Sequence, residues 1–386
     1  MAQKNRIKKT RNKPKNLNKV GSLFAAASAI PLLGLCSSVC AQNKPEPASI
    51  RFQYAYFKDW QAGSEDRMTV NAPMVLFNAP ISEKTEVEVG FVFDSMSGAS
   101  PLYHDTLTGA SGKGVEDERY SADATLTQYF DGFNLSFGGV YSTENDYDSI
   151  GANLSSRFWS SDKNTVFLFG INGNDDKVTS DNNPLLDERR DSYGAVFGVT
   201  QVINKNSLVQ SNFTFKNNDG YLEDPYKLGD NRPESRDGFA WLTRYVRYLE
   251  SSASSLHLDY RFYLDSWDIY SHTVEMAWYK PFGENERWMF RPRIRYYSQE
   301  EAIFYNDLDP IDITDDRFYT ADQRLSSFGS LGAGVKLIRD FDDGFSMSLS
   351  YDFVINDSSW TILSQGSPNI DNLYLSYFSF GLHKKF

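Results

Sequence analysis

Sixteen stretches of this chain alternate apolar and polar residues with a period of two, and none shows a convincing helical repeat. Ile50, Phe52, Tyr54 and Tyr56 interleave with Arg51, Gln53 and Ala55. Phe133, Leu135, Phe137 and Tyr141 interleave with Asn134, Ser136 and Gly138. Leu256, Leu258, Tyr260, Phe262 and Leu264 interleave with His257, Asp259, Arg261 and Tyr263. Successive side chains of a strand point to opposite faces, so each stretch has one apolar and one polar face. Strands are expected near 49–58, 67–78, 85–95, 119–130, 133–143, 149–159, 165–173, 190–202, 207–217, 238–248, 254–264, 268–280, 287–298, 328–339, 345–354 and 373–386. Most have about the length that a tilted strand needs to cross a bilayer.

The connections sort by length. Those after even strands are short, such as Asp131-Gly132 and Asn204-Lys205-Asn206. Several after odd strands are long: 96–118, 174–189, 218–237, 299–327 and 355–372. Short turns at one end and long loops at the other are the pattern of an outer-membrane barrel, with the long loops outside the cell. An even strand count returns both termini to the short-turn side. The expected fold is an all-β, antiparallel up-and-down transmembrane barrel of about sixteen strands. A soluble sandwich would alternate too, but would not need such uniform strands or segregated loops.

Composition fits that reading. The chain carries 28 Phe, 23 Tyr and 7 Trp, yet its mean hydropathy is −0.49. No window supplies the apolar run of a spanning helix. Residues 1–20 hold Lys4, Arg6, Lys8, Lys9, Arg11, Lys13, Lys15 and Lys19 with no acid, followed by the apolar run 21–41. A basic start, an apolar core and the small-residue exit Val39-Cys40-Ala41 predict a cleaved secretory signal over 1–41 and one barrel domain over 42–386. Cys36 and Cys40 follow Leu35 and Val39, not the small residue of a lipid-attachment signal. Cleavage removes both cysteines and takes the formal net charge from −12 to −20. So acidic a chain repels phosphate backbones, which excludes nucleic acid as a partner.

The last strand carries Phe378, Phe380, Leu382 and the terminal Phe386 on one face. That pattern resembles the C-terminal signal read by the outer-membrane barrel assembly machinery, although Lys384 interrupts it. Trp60, Trp159, Trp267, Trp278 and Trp288 lie near strand ends and suit interfacial girdles. Lipid and lipopolysaccharide are the expected surroundings; no oligomeric surface is legible.

Several loop-edge segments carry a family resemblance: DSMSGASP (94–101), TGASGKGVEDERY (108–120), STENDYDS (142–149), GYLEDPYKLGDNRPESRD (220–237) and TADQRLSSFG (320–329). They are similar to a Gram-negative family labelled domain of unknown function 3570. The resemblance implies an outer-membrane β-barrel, localised to the cell outer membrane, and no activity.

Motifs for chemistry are sparse. Nucleophile elbows, phosphate-binding loops and zinc-protease motifs are absent. An outer-membrane phospholipase would need a serine beside His272, and the alternation offers none, so an enzyme ranks a distant third. No cofactor is expected, apart from weak Ca²⁺ in the acidic loops: Asp307, Asp309, Asp312, Asp315 and Asp316 in one, Asp219, Glu223, Asp224, Asp230 and Glu234 in another. Neither has calcium-loop spacing, and a solvated loop bridging lipopolysaccharide cations is the plainer explanation.

The lumen is more informative. If Trp288, Phe290, Ile294 and Tyr296 face lipid, then Arg287, Arg291, Arg293 and Arg295 face inward, with Arg244, His257, Asp259, Arg261 and Glu275 nearby. Charge is unfavourable on the lipid face, so this assignment follows from energetics. The row serves either as a basic pore wall drawing anions through, or as an arginine–carboxylate network that braces the barrel. The leading function is a porin-like channel or transporter for small solutes, with anions suggested by the arginines. The alternative is a non-conducting barrel whose loops bind a partner, a divalent cation or lipopolysaccharide.

Overall fold

The computed structural model describes residues 44–61, 66–98, 115–180, 183–225, 230–306, 317–362, 364–367 and 369–386. The expected signal segment lies outside them. The strands are β1 (Ser49–Gln61), β2 (Asp66–Ser82), β3 (Thr85–Gly98), β4 (Val115–Phe130), β5 (Phe133–Thr143), β6 (Tyr147–Trp159), β7 (Thr165–Thr179), β8 (Asp187–Asn204), β9 (Ser207–Gly220), β10 (Ser235–Leu249), β11 (Ser254–Asp265), β12 (Tyr270–Phe282), β13 (Trp288–Gln299), β14 (Phe328–Asp340), β15 (Phe345–Asp357) and β16 (Leu373–Lys385). Each pairs antiparallel with its chain neighbour, and β16 pairs with β1 from Ser49↔Lys385 to Gln61↔Leu373. The result is a closed barrel of sixteen strands.

The register explains which face points where. Phe133 stands opposite Phe158, and Phe158 opposite Phe167. Phe137 stands opposite Leu154, and Leu154 opposite Ile171. Apolar residues thus line up with apolar residues around the outside. They are exposed there, Phe137 to 60 % and Ile171 to 61 %. A water-soluble domain does not carry such a continuous exposed apolar surface; a bilayer matches it. Aromatic stacking runs along the band, from Phe130 over Phe133 to Phe158, and from Phe169 over Phe197 to Phe213. The inward set is polar: Glu88, Asp123, Asn153, Asn172, Asn212, Arg244, Asp259, Arg293 and Asp352.

Several strands overrun the alternation. Residues 174–179 and 187–189, read from sequence as loop, continue β7 and β8 from Asn174↔Ser192 to Thr179↔Asp187. Both faces of this extension are polar, so the period of two disappears while the backbone ladder continues. Arg190 fixes it inwardly by pairing with Asp176 at 2.7 Å.

The two ends differ as the connection lengths suggest. One end has tight turns, among them Asp131-Gly132, where Gly132 takes φ +90°. At the other, four connections fold together around Trp267, Ile269, Ala302, Phe304, Tyr305 and Leu325. Leu222, Tyr263 and Ile370 pack against this cluster. The buried apolar cluster formed among the described residues lies in this cap. Trp267, expected in a lipid girdle, is 3 % exposed at the centre of the cap. Trp159 has the parity of the lumen face, opposite Val166. Trp60, Trp278 and Trp288 keep the outward parity.

Candidate functional site: the lumen wall and the cap over it

The lumen wall from β10 to β15 brings the sequence-selected residues together as neighbours, with one exception. Arg287 precedes β13 in a tight turn, where it pairs with Asp342 of the next turn at 2.8 Å, and both are exposed. It is a rim residue and does not line the lumen; the turn Glu284–Glu286 delays the start of β13 past it.

Of the remaining eight, His257 packs against Tyr279, and the seven charged residues divide by partner. Arg244 grips Asp259 across β10–β11, with Nε–Oδ1 2.8 Å and Nη2–Oδ2 2.5 Å. Arg293 joins Asp352 at 2.7 Å and Glu275 at 3.3 Å. The strand between Arg293 and Asp352 contributes Gly334, and a Cβ there would stand 1.6 Å from the Asp352 carboxylate. Glycine therefore opens the wall so that a charged pair can lie over the backbone of the strand between. These contacts are the bracing network: Arg244 meets a fork of carboxylate oxygens, and Arg293 meets one oxygen from each of two carboxylates.

Arg261, Arg291 and Arg295 form no ion pair among the described residues. Each instead lies against a tyrosine: Arg261 over Tyr263 at 5.7 Å, Arg291 over Tyr279 at 5.8 Å, Arg295 over Tyr297 at 5.8 Å. Lys336 of β14 stands in register with Arg291. Sequence reading passed over Lys336, although the outward run Ala333, Val335, Leu337 implies its inward position. It also passed over the acidic wall, Glu86 and Glu88 of β3 with Asp123 of β4. In a ring of sixteen, β3 and β4 stand half a turn from β11 and β12. Across the lumen from them stand Asp259, Arg261 and Glu275, with the arginine row of β13 one strand further round.

At the long-loop end the cap joins two of the family-like segments. The loop after β9 and the loop after β13 are bridged by Asn231↔Tyr319. Behind that bridge, Arg232 lies 2.8 Å from Asp230 and 3.0 Å from Asp322. Arg324 binds Asp322 and reaches Asp224 at 2.9 Å. Thr320 donates to Asp230 at 2.6 Å and accepts from the Asp322 amide at 3.1 Å. Burial alone would lower the Arg232 guanidinium; the Asp230 and Asp322 charges more than offset it and hold it above its ordinary value. Arg324 is raised likewise, burial being outweighed by Asp322, with Asp224 assisting. Both stay cationic, and the network is an internal ion-pair lattice.

This lattice bears on the acidic loops. Asp224 and Asp230, grouped from sequence as candidate cation ligands, are turned onto arginine. Among the described residues no group of three acids or histidines is arranged to hold a metal. Asp307, Asp309, Asp312, Asp315 and Asp316 lie outside the described residues. The loop after β13 folds inward: Gln299, on the lumen face, donates to the carbonyls of Arg324 at 3.1 Å and Ser326 at 2.5 Å. The loop after β15 folds over the outer face, where Gly329 admits the Trp360 carbonyl; a Cβ would stand 2.2 Å from it.

On the outer face His272 is opposite Ser298, a pairing that the alternation did not reveal. His272 Nδ1 is engaged by the Tyr260 hydroxyl at 2.7 Å. Ser298 is fully covered and accepts from the Ile362 amide at 3.0 Å. This is a packed junction rather than a nucleophile open to lipid. Phe378, Phe380 and Leu382 line up with Tyr56, Tyr54 and Phe52 on the outer face, and Phe386 follows β16, 73 % exposed.

Comparison with known proteins supports the fold and leaves activity open. A family model described as "Protein of unknown function (DUF3570)" matches residues 21–367. A bacterial polysaccharide outer membrane secretin is similar in structure, with TM-score 0.52 and 10 % identity over 88 % of this chain and 98 % of that one. CdiB from Acinetobacter baumannii is similar at TM-score 0.51 and 9 % identity, over 89 % of this chain and 60 % of that one. No curated protein matches the sequence.

Proposed function

Because the chain belongs to the DUF3570 family, proteins of unknown function, its activity has to be read from the barrel, and we propose an outer-membrane channel for small polar solutes that favours anions. The observation that carries this is a group of lumen cations on β11–β14 left without carboxylate partners: Arg261, Arg291, Arg295 and Lys336. Bracing explains Arg244 and Arg293; it does not explain these. A barrel of sixteen strands is wide enough for water and solute. Arg291, Arg295 and Lys336 on β13–β14 and the acids of β3–β4 lie on different parts of the wall, which orients a dipolar solute and draws its anionic end to the basic side. The long-loop end faces outward from the cell in this reading.

The test is conductance of the refolded protein in planar bilayers. Stable channels whose reversal potential favours chloride over potassium support the reading, and the preference should fall when Arg261 and Arg295 become glutamine. A membrane silent for both the intact protein and Asp322→Ala would falsify it. A second reading, a barrel that binds at its surface without conducting, is favoured by the cap, whose buried ion-pair lattice holds two loops together at the mouth. A membrane silent for the intact protein but conducting for Asp322→Ala would mean that the cap is closed and the barrel beneath it is a pore.

A further inference from the structure

We propose that the lumen wall holds a discrete binding site for a phosphate group on a small solute, built on Arg291 and Lys336. The inference rests on the channel reading only for the route by which solute arrives.

The two residues are register partners on β13 and β14, both facing the lumen. Like charges directly opposite one another destabilise a sheet. Neither has a carboxylate within ion-pair distance among the described residues. Arg291 Nε is buried and meets no hydrogen-bond partner. An unpaired buried donor on a charged group is unfavourable unless a ligand or water satisfies it. The charges that act on Lys336 are Arg291, Arg51 and Asp352, and the one acid among them is already held by Arg293.

Two residues further along β13 the same wall solves the same problem differently. There Arg293 has two carboxylates, and its neighbour on β14 is glycine. At Arg291 the neighbour on β14 is a second cation. A wall built only for bracing would repeat the Arg293 arrangement.

The surroundings suit a compact anion carrying two negative charges. Tyr279 lies under the Arg291 guanidinium and packs against His257, ring centres 4.2 Å apart and planes tilted by 31°, so the guanidinium rests on a packed support. Beyond Lys336, in the same register row, come Ser350 and Ser379, their hydroxyls 2.7 Å apart. A guanidinium fork, an ammonium point charge and a neighbouring hydroxyl are complementary to phosphate oxygens. A single carboxylate would neutralise one of the two cations and leave the other bare.

The experiment titrates the full-length protein, reconstituted in lipid nanodiscs, with inorganic phosphate and separately with glycerol phosphate, by calorimetry. Saturable binding is expected at one site per barrel, weakened about tenfold or more when Arg291→Gln and Lys336→Gln are combined. The rim variant Arg287→Gln should bind as the parent does, and retention of a heat-modifiable band on gels shows that each variant is folded. Binding of the ester alone would mean that the site also reads the rest of the solute; binding of both means that phosphate suffices. Acetate competing as well as phosphate, or binding unchanged in the double variant, overturns the site. The two readings fail separately. Chloride current indifferent to phosphate, with no calorimetric binding, removes the site and keeps the channel. Phosphate binding lost in the double variant of a barrel that never conducts keeps the site and removes the channel.

Discussion

The cap and the lower lumen wall treat arginine in opposite ways. In the cap Arg232 and Arg324 are packed among Asp224, Asp230 and Asp322, and each positive charge meets at least one carboxylate. In the wall Arg291 and Lys336 stand side by side with none. Arg293 is intermediate, half-buried and doubly paired. Arg232 is 9 % exposed, whereas Arg324 at 33 % and Arg293 at 30 % are alike, so pairing follows the acids that each element supplies and not exposure alone. A cation enclosed by protein must be neutralised, because its desolvation is not otherwise offset. A cation on the lumen wall without a carboxylate keeps its charge available to whatever passes.

If pairing is structural where acids are supplied and dispensable where they are not, the largest effect belongs to the cap. Asp322→Ala leaves Arg232 and Arg324 short of a partner and should destabilise the closed cap by about 3 kcal/mol. Limited proteolysis within 300–327 should accelerate while the barrel keeps its heat-modifiable mobility; an unchanged cleavage rate would break the comparison at its cap end. Next comes the lumen pair. Arg293→Ala strands Asp352 and Glu275 and should lower barrel stability in urea by about 1–3 kcal/mol, discounted for lumen water. Arg291→Ala should change it by no more than about 0.5 kcal/mol in either direction. Equal losses at the two sites would mean that pairing does not separate them. Gly334→Ala should reproduce part of the Arg293 loss, since its methyl displaces Asp352 from the shared position.

The smallest expected effect is a pH response of the cap. Glu223, in the loop after β9, is raised above the ordinary 4.5 by burial and by the Asp230 charge. A raised carboxyl means that the closed cap holds a proton more readily than the open loop. Its support for closure is therefore full in acid and declines as pH climbs from the ordinary glutamate range through the raised value. Trp267 fluorescence should report a tighter cap at the acid end of that window, and Glu223→Gln should flatten the response.

Much of the barrel was legible because its information is local. Sixteen runs of period two gave sixteen strands, and the parity of Phe290, Ile294 and Tyr296 correctly turned Arg291, Arg293 and Arg295 inward. Legibility failed where alternation stops. The polar extension of β7 and β8 read as loop because neither of its faces is apolar. Arg287 was misplaced because a turn, not a strand, occupies 284–286. The cap was invisible: its contacts join residues about ninety apart in sequence, the ion pair of Arg232 with Asp322 and the hydrogen bond of Thr320 to Asp230, and the acids involved looked like solvated loop charge. The resemblance of 220–237 and 320–329 to family segments was the one available signal, and the structure brings those two segments together.

By itself, then, the sequence determined a closed antiparallel barrel with an apolar outside and a charged inside, since period two and bilayer energetics leave no other placement for its aromatics. Which lumen charges are spent on one another and which remain free was decided only by the tertiary structure. Pairing depends on register across strands, on a glycine such as Gly334 that lets two side chains meet, and on the acids that other elements bring to each site, none of which is written in the order of residues along a single strand.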